Sequence, residues 1–212
     1  MWMGQLIMGI LLAYLLGSIS SAIVVSRLMR LPDPRGIGSG NPGATNVLRA
    51  GSKAAAAWTL IGDVAKGWLP VFIVMQLVDF PGWMVALVGL AAFLGHLYPV
   101  YFRFKGGKGV ATALGVILAL SPLTGLLVIL TWLVAAFTLR YSSLAALLAA
   151  LAAPVLLYAV QTYSGQQDPW LVAAVVAMTV LLYARHHTNI RRLIQGTESR
   201  IGEKKPLPDD QG

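Results

Sequence analysis

From Val110 to Leu139 the chain runs for thirty residues without a charged side chain. No soluble domain needs such a stretch, and it limits the fold more than any other feature. As one helix it would be ~45 Å long, against a bilayer hydrocarbon core of ~30 Å. Ser121-Pro122 interrupts it near the middle, so it is either one kinked helix or two short ones, and charge decides for two. Five further apolar runs accompany it, about Gln5–Val25, Ala54–Val78, Trp83–Val100, Ser142–Thr162 and Pro169–Ala184. With 57% hydrophobic and 11% charged residues among 212, the expected fold is all-α: a polytopic membrane protein of seven transmembrane helices. Residues 1–203 read as one domain, and 204–212 as a solvated, disordered tail.

Charge sets the orientation. If 110–139 crossed the bilayer once, Arg140 and the tail, with Arg185, Arg191, Arg192, Arg200, Lys204 and Lys205, would face outward. Two crossings bring 15 of the 16 basic residues to one side, with Lys66 as the sixteenth inside a helix. The positive-inside rule makes that side cytoplasmic and puts the C-terminus there. The first twenty residues hold no basic side chain, and Arg27 and Arg30 follow the apolar run. That order describes a retained helix with its N-terminus outside, not a cleaved signal peptide. The outer loops carry Asp79 and Asp168 without a positive charge. The formal charge of +8 therefore reflects orientation rather than nucleic-acid binding. Zero cysteines exclude disulfides, thiolate metal sites and a cysteine nucleophile.

Three polar segments share the cytoplasmic face. The first, expected to be one loop, is Gly36–Arg49, which reads GIGSGNPGATNVLR, with four glycines and no acidic side chain. Bare backbone N–H groups form anion-binding concavities, and Ser39, Asn41, Thr45 and Asn46 add neutral donors. Arg49 adds a planar fork that fits phosphate oxygens. Tyr101–Thr112 reads YFRFKGGKGVAT and again sets a lysine among glycines. It is not a Walker A loop, because Gly109 follows Lys108 and Arg103 stands at the upstream glycine position. ATP hydrolysis is not implied. Arg185–Glu198 reads RHHTNIRRLIQGTE and supplies histidines able to move a proton. No acidic residue lies near His186 and His187 at ligand spacing, so no metal is expected.

Asp63 and Lys66, three apart on one helix face, read as a structural ion pair. His96 reads as a structural histidine, and the leucines and alanines of 122–162 as core and lipid face. Two other classes fit less well. A transporter would show inverted repeats and polar broken helices at the midplane, and a scaffold would not need three glycine–cation–polar segments. A His-x-x-x-x-Asp spacing is absent.

The segments Gly38-Ser39-Gly40-Asn41-Pro42-Gly43-Ala44-Thr45-Asn46 with Arg49, Gly95–Val100 leading into Phe104–Thr112, and Arg185–Ile190 with Gly196 and Glu198 resemble three signature segments of a known family. They are those of the bacterial acyl-phosphate:glycerol-3-phosphate acyltransferases. The resemblance implies transfer of a fatty acyl group from acyl phosphate to glycerol 3-phosphate in phospholipid synthesis, at the bacterial inner membrane. Acyl phosphate, glycerol 3-phosphate and the bilayer are the implied partners, with the enzyme that makes acyl phosphate as a candidate and no nucleic acid. No cofactor is implied. It places Ser39, Arg49, Lys108, His186 and Asn189 in catalysis. Substrate binding falls to Gly38, Gly40, Asn41, Gly43, Thr45, Asn46, Lys105, Gly106, Gly107, Gly109 and Ser143. Glu198 is expected to be a structural anchor. Ser39 lacks a base at a recognisable spacing, so it is read as a donor to phosphate, not a nucleophile. The general base is either His186 or the phosphate of glycerol 3-phosphate.

Overall fold

The computed structural model describes residues 2–77 and 80–203. Its regular elements are α1 (Trp2–Gly17), α2 (Ser21–Leu28), α3 (Ala44–Arg49), α4 (Lys53–Leu77), α5 (Gly82–Leu97), α6 (Val110–Leu120), α7 (Pro122–Leu139), α8 (Ser142–Ser164), α9 (Pro169–Arg185) and α10 (His187–Ile194), with 3-10 turns at Pro34–Gly36 and Val100–Phe102. Among the described residues there is no strand. Four helices (α4, α5, α7 and α8) are long and apolar enough to cross a membrane, and six spans result if the bent pairs α1–α2 and α9–α10 each count as one. The expected tail 204–212, the end of the second apolar run at Val78, and Asp79 lie outside the described residues.

The long apolar stretch divides where its proline falls. Ser121 accepts the Thr124 N–H at 3.3 Å and Pro122 takes the first helical position, so α7 starts cleanly as α6 ends. Asp168-Pro169 repeats the device: the Asp168 carboxylate accepts the N–H groups of Trp170 and Leu171 at the start of α9. With 11 residues, α6 is only ~16 Å long, about half the hydrocarbon core.

Two expectations need correction. Gln5–Val25 is not one helix: α1 and α2 meet at a 46° bend with a break at Ser18–Ser20. The freed backbone groups find side-chain partners, which is what lets a helix break inside apolar surroundings. The Ser18 hydroxyl donates to Tyr14 O (2.8 Å) and accepts the Val100 N–H (3.3 Å), while Lys66 Nζ donates to Ile19 O (2.7 Å). The segment 36–49 is not wholly a loop either, since its last six residues form α3.

Close helix pairs use small residues, as expected where lipid tails are as apolar as the side chains they replace. A Cβ on Gly17 would run into the Ala92 carbonyl, and one on Gly95 into that of Tyr14, so α1 lies directly on α5. Gly67 and Gly115 do the same between α4 and α6. Phe93, Leu97, Val116, Leu157 and Met178 fill the interior, whereas Leu130, Phe137, Leu151 and Val180 stand exposed on the outer wall. Such a wall is what a lipid-facing surface requires. Lys66 and Asp63 are buried at 2.8 Å from each other, as their spacing predicts.

Candidate active site

The first polar segment is built around Asn46. Its Nδ2 donates to the carbonyls of Pro34 (2.7 Å) and Ile37 (3.0 Å), and its Oδ1 accepts the Ser39 N–H (2.9 Å). One buried amide thus ties a glycine-rich turn to the first turn of α3. Gly38 sits at φ +56°, where Asn46 Oδ1 occupies the place a Cβ would take. The polar capacity of Asn46 is spent on shape, which makes it a positioning residue. Asp33 and Arg35 close the upstream side with a 2.6 Å ion pair, and the Arg35 guanidinium lies over the Phe102 ring.

The second segment is clamped from two directions. Gly107 N–H donates to His96 O (3.2 Å), and Arg185 holds the carbonyls of Gly106 (2.9 Å) and Gly107 (3.2 Å). A Cβ on Gly106 would run into His96 O, and one on Gly107 into His96 Nε2. These two glycines let the loop press onto the end of α5; they do not present an open anion cradle. The loop thereby aims Lys108 inward, where its Nζ donates to Asn189 Oδ1.

The third segment supplies the far wall. Asn189 Nδ2 donates to Glu198 Oε1 (2.7 Å), which also accepts the Ser143 hydroxyl (2.7 Å), while Glu198 Oε2 accepts Arg192 Nε (2.7 Å). Burial pushes the Glu198 carboxyl up, but the three hydrogen bonds outweigh it and hold it below the usual range, so it is ionised. His186 is buried, and its Nδ1 lies 2.8 Å from Leu182 O. A carbonyl only accepts, so Nδ1 carries the proton and Nε2 keeps its lone pair. Burial pushes the His186 imidazole down to about 4, which leaves it neutral at pH 7.

All three walls meet on one cavity of about 850 Å³. Its polar end is lined by Ser39, Asn41, Gly43, Thr45, Asn46, Arg49, Lys108, Gly109, Ser142, Ser143, His186, Asn189 and Glu198. Gly38, Gly40, Gly106 and Gly107 do not line it, and neither does Lys105, which is exposed. The remainder of the cavity is apolar and runs between α6, α7, α8 and α9. Sequence reasoning passed over two polar groups on its wall, Asp63 and His96, whose Oδ1 and Nδ1 lie 3.6 Å apart. Their apolar surroundings made both look structural. Ser142, 3.3 Å from the Thr45 hydroxyl, was passed over as well.

A half-buried lysine and an arginine on one cavity wall, with hydroxyl and amide donors, make a site for phosphate oxygens, and the apolar remainder suits a hydrocarbon chain. The comparisons agree. A chain described as glycerol-3-phosphate acyltransferase from Burkholderia ambifaria is 55% identical over 208 residues, covering 98% of this chain and 96% of that one. The crystal structure of PlsY, an integral membrane glycerol 3-phosphate acyltransferase, in its glycerol 3-phosphate form superposes with a TM-score of 0.86 at 39% identity, covering 93% of this chain and 96% of that chain. The lysophosphatidic acid form gives 0.84 over the same coverage. The glycerol-3-phosphate acyltransferase family model matches residues 7–196, and the chain belongs to that family.

Proposed function

We propose that this chain transfers a fatty acyl group from acyl phosphate to the 1-hydroxyl of sn-glycerol 3-phosphate. The products are lysophosphatidic acid and inorganic phosphate, and the step feeds phospholipid synthesis at the bacterial inner membrane. The observation that carries this reading is the single cavity, which joins a cationic, donor-rich end to an apolar slot. Both substrates bear phosphate and one of them also bears a chain, so one enclosure meets every requirement.

The hydroxyl oxygen attacks the acyl carbonyl carbon. The ester C–O bond forms, the C–O bond to phosphate breaks, and the proton leaves with the phosphate. Two acceptors compete for that proton. Burial pushes the His186 imidazole down to about 4, which weakens it as a base and favours the phosphate of glycerol 3-phosphate as the acceptor. His186 Nε2 then acts by accepting the hydroxyl hydrogen bond and orienting the attack. Lys108 and Arg49 stabilise the charge that gathers on the departing phosphate, with Ser39 as a donor. Acyl phosphate is already activated, so direct attack by the hydroxyl needs no covalent acyl-serine.

Purified protein in detergent, given palmitoyl phosphate and labelled glycerol 3-phosphate, is expected to form lysophosphatidic acid. No product from any acyl phosphate would sink the proposal.

The same reading has seven passes, with α1–α2 as one bent span and α6 as a half-length one. The N-terminus lies outside, and the site and C-terminus face the cytoplasm. Because the chain has no cysteine, single cysteines report cleanly. One at Asp168 is expected to react with an impermeant reagent from outside, and those at Gly51 and Thr197 only after the membrane is opened. Labelling of positions 168 and 197 from the same side would overturn the seven-pass topology.

A further inference from the structure

The apolar part of the cavity has a floor. On α8 it is lined by Ser142, Ser143, Ala146, Ala149, Ala150 and Ala153, a helical face that is alanine throughout below the serines. One turn further on, the same face carries Leu157, buried in the core and no longer part of the wall. Val128 of α7 and Val175 of α9, both buried, line the cavity near Ala153: Val128 and Ala153 each stand eleven residues from the α7–α8 turn, and Val175 is one turn from Thr179, which donates to Ala150 O. From Ser143 to Ala153 the helix rises ~15 Å. Half of the ~30 Å hydrocarbon core is also ~15 Å, the depth that one phospholipid chain fills in its own leaflet.

The cavity also has a side opening, and it lies above the floor. Leu60 and Ile61 on α4 and Leu133 on α7 line the cavity and are themselves exposed, which puts the opening on that side. Leu60 is about seven residues into α4, ~10 Å along it. A chain entering sideways there still has its far end enclosed by Ala153, Val128 and Val175.

We propose that Ala149 and Ala153 set the acyl length this enzyme accepts, with Ala153 marking the end of a slot matched to one membrane leaflet. This rests on the acyl-donor reading above. Substituting a larger side chain at the floor displaces the last carbons of a long chain and leaves a short one untouched. Hydrophobic pockets discriminate by about 10- to 200-fold per methylene-sized misfit, which sets the scale.

The test is the ratio of kcat/KM for hexadecanoyl phosphate to that for decanoyl phosphate in detergent-purified protein. Ala153→Phe is expected to lower this ratio by about tenfold or more. Ala149→Phe, one turn nearer the polar end, is expected to move the cut-off to still shorter chains. Ala153→Val, a smaller change, is expected to shift the ratio in the same direction by less. Val155→Phe, on the exposed face of the same helix, is expected to leave it within twofold. Unchanged ratios in the Ala149 and Ala153 variants would overturn the proposal while leaving acyl transfer intact. Equal loss of long- and short-chain turnover in both Ala153→Val and Ala153→Phe would overturn it too, because the floor would then serve packing alone. A wild type inactive with every acyl phosphate would instead remove the donor assignment, and this proposal with it.

Discussion

Replacing Lys108 with methionine is expected to lower kcat by 10²–10³-fold, the scale for losing one preorganised group at a developing anion. The reason is its surroundings. The nearest carboxylate, Glu198, is already held by Ser143, Asn189 and Arg192, and reaches Lys108 only through Asn189. Burial pushes the Lys108 ammonium down to about 8; Glu198 opposes that shift, and Arg192, Arg49 and Arg185 add to it. A cation so placed gains most when an anion arrives. The sign for pH follows. Lys108 is charged below about 8 and neutral above, so kcat/KM for glycerol 3-phosphate is expected to fall as pH rises through about 8. Bound phosphate favours the charged form, so the same limb in kcat is expected at higher pH. Lys108→Arg keeps its charge and is expected to abolish the limb while lowering the rate. Arg103→Gln, on the same loop but exposed, is the control, with less than a twofold change expected. Steady-state kinetics across pH check all of these. A limb near 8 that persists in Lys108→Arg would assign it to another group.

Gly107→Ala is expected to reduce kcat/KM for glycerol 3-phosphate on the order of 10²-fold, although it adds a single methyl group. That methyl would run into His96 Nε2. The imidazole has little room to retreat, because it is buried with its Nδ1 3.6 Å from Asp63. Nor can the backbone swing away, with Gly107 N–H on His96 O and two of the loop's carbonyls on Arg185. The strain therefore passes to Lys108, the next residue. Gly36→Ala tests whether any glycine in these segments would do, since a Cβ there meets nothing within 4 Å. It is expected to stay within twofold of wild type at equal thermal stability. Equal damage from both would show that loop flexibility, not the clamp, is what the glycines provide.

The division of 110–139 was legible from charge, which favours two crossings there, and from Ser121-Pro122, where a serine can cap the helix that its proline starts. The break at residues 18–20 was not, because Gly17-Ser18 and Ser20 are weak local signals that membrane helices also tolerate. Its partners, Lys66 and Val100, come from distant parts of the chain. The convergence of three polar segments followed from charge alone. The roles of their glycines did not, since an open N–H cradle and a close backbone contact call for the same residue. The acyl slot was hidden for a similar reason. Ala146, Ala149, Ala150 and Ala153 look like helix packing until the facing helices are seen to stand away from them.

The pairing of Asp63 with Lys66 bears on how the bilayer receives α4. Both charges lie on that helix, three residues apart and 2.8 Å from each other, and no other segment is needed to join them. At its middle α4 is therefore electrically neutral before it meets any neighbour, which reduces the cost of burying either ion alone in hydrocarbon. The Ile19 carbonyl and the His96 ring are contacts made between helices, and both need α1 and α5 alongside. Insertion and docking are thus separable events for this helix. The first is provided for by an intrahelical pair, and the second is rewarded when the lysine's remaining hydrogen-bonding capacity closes the broken end of α1.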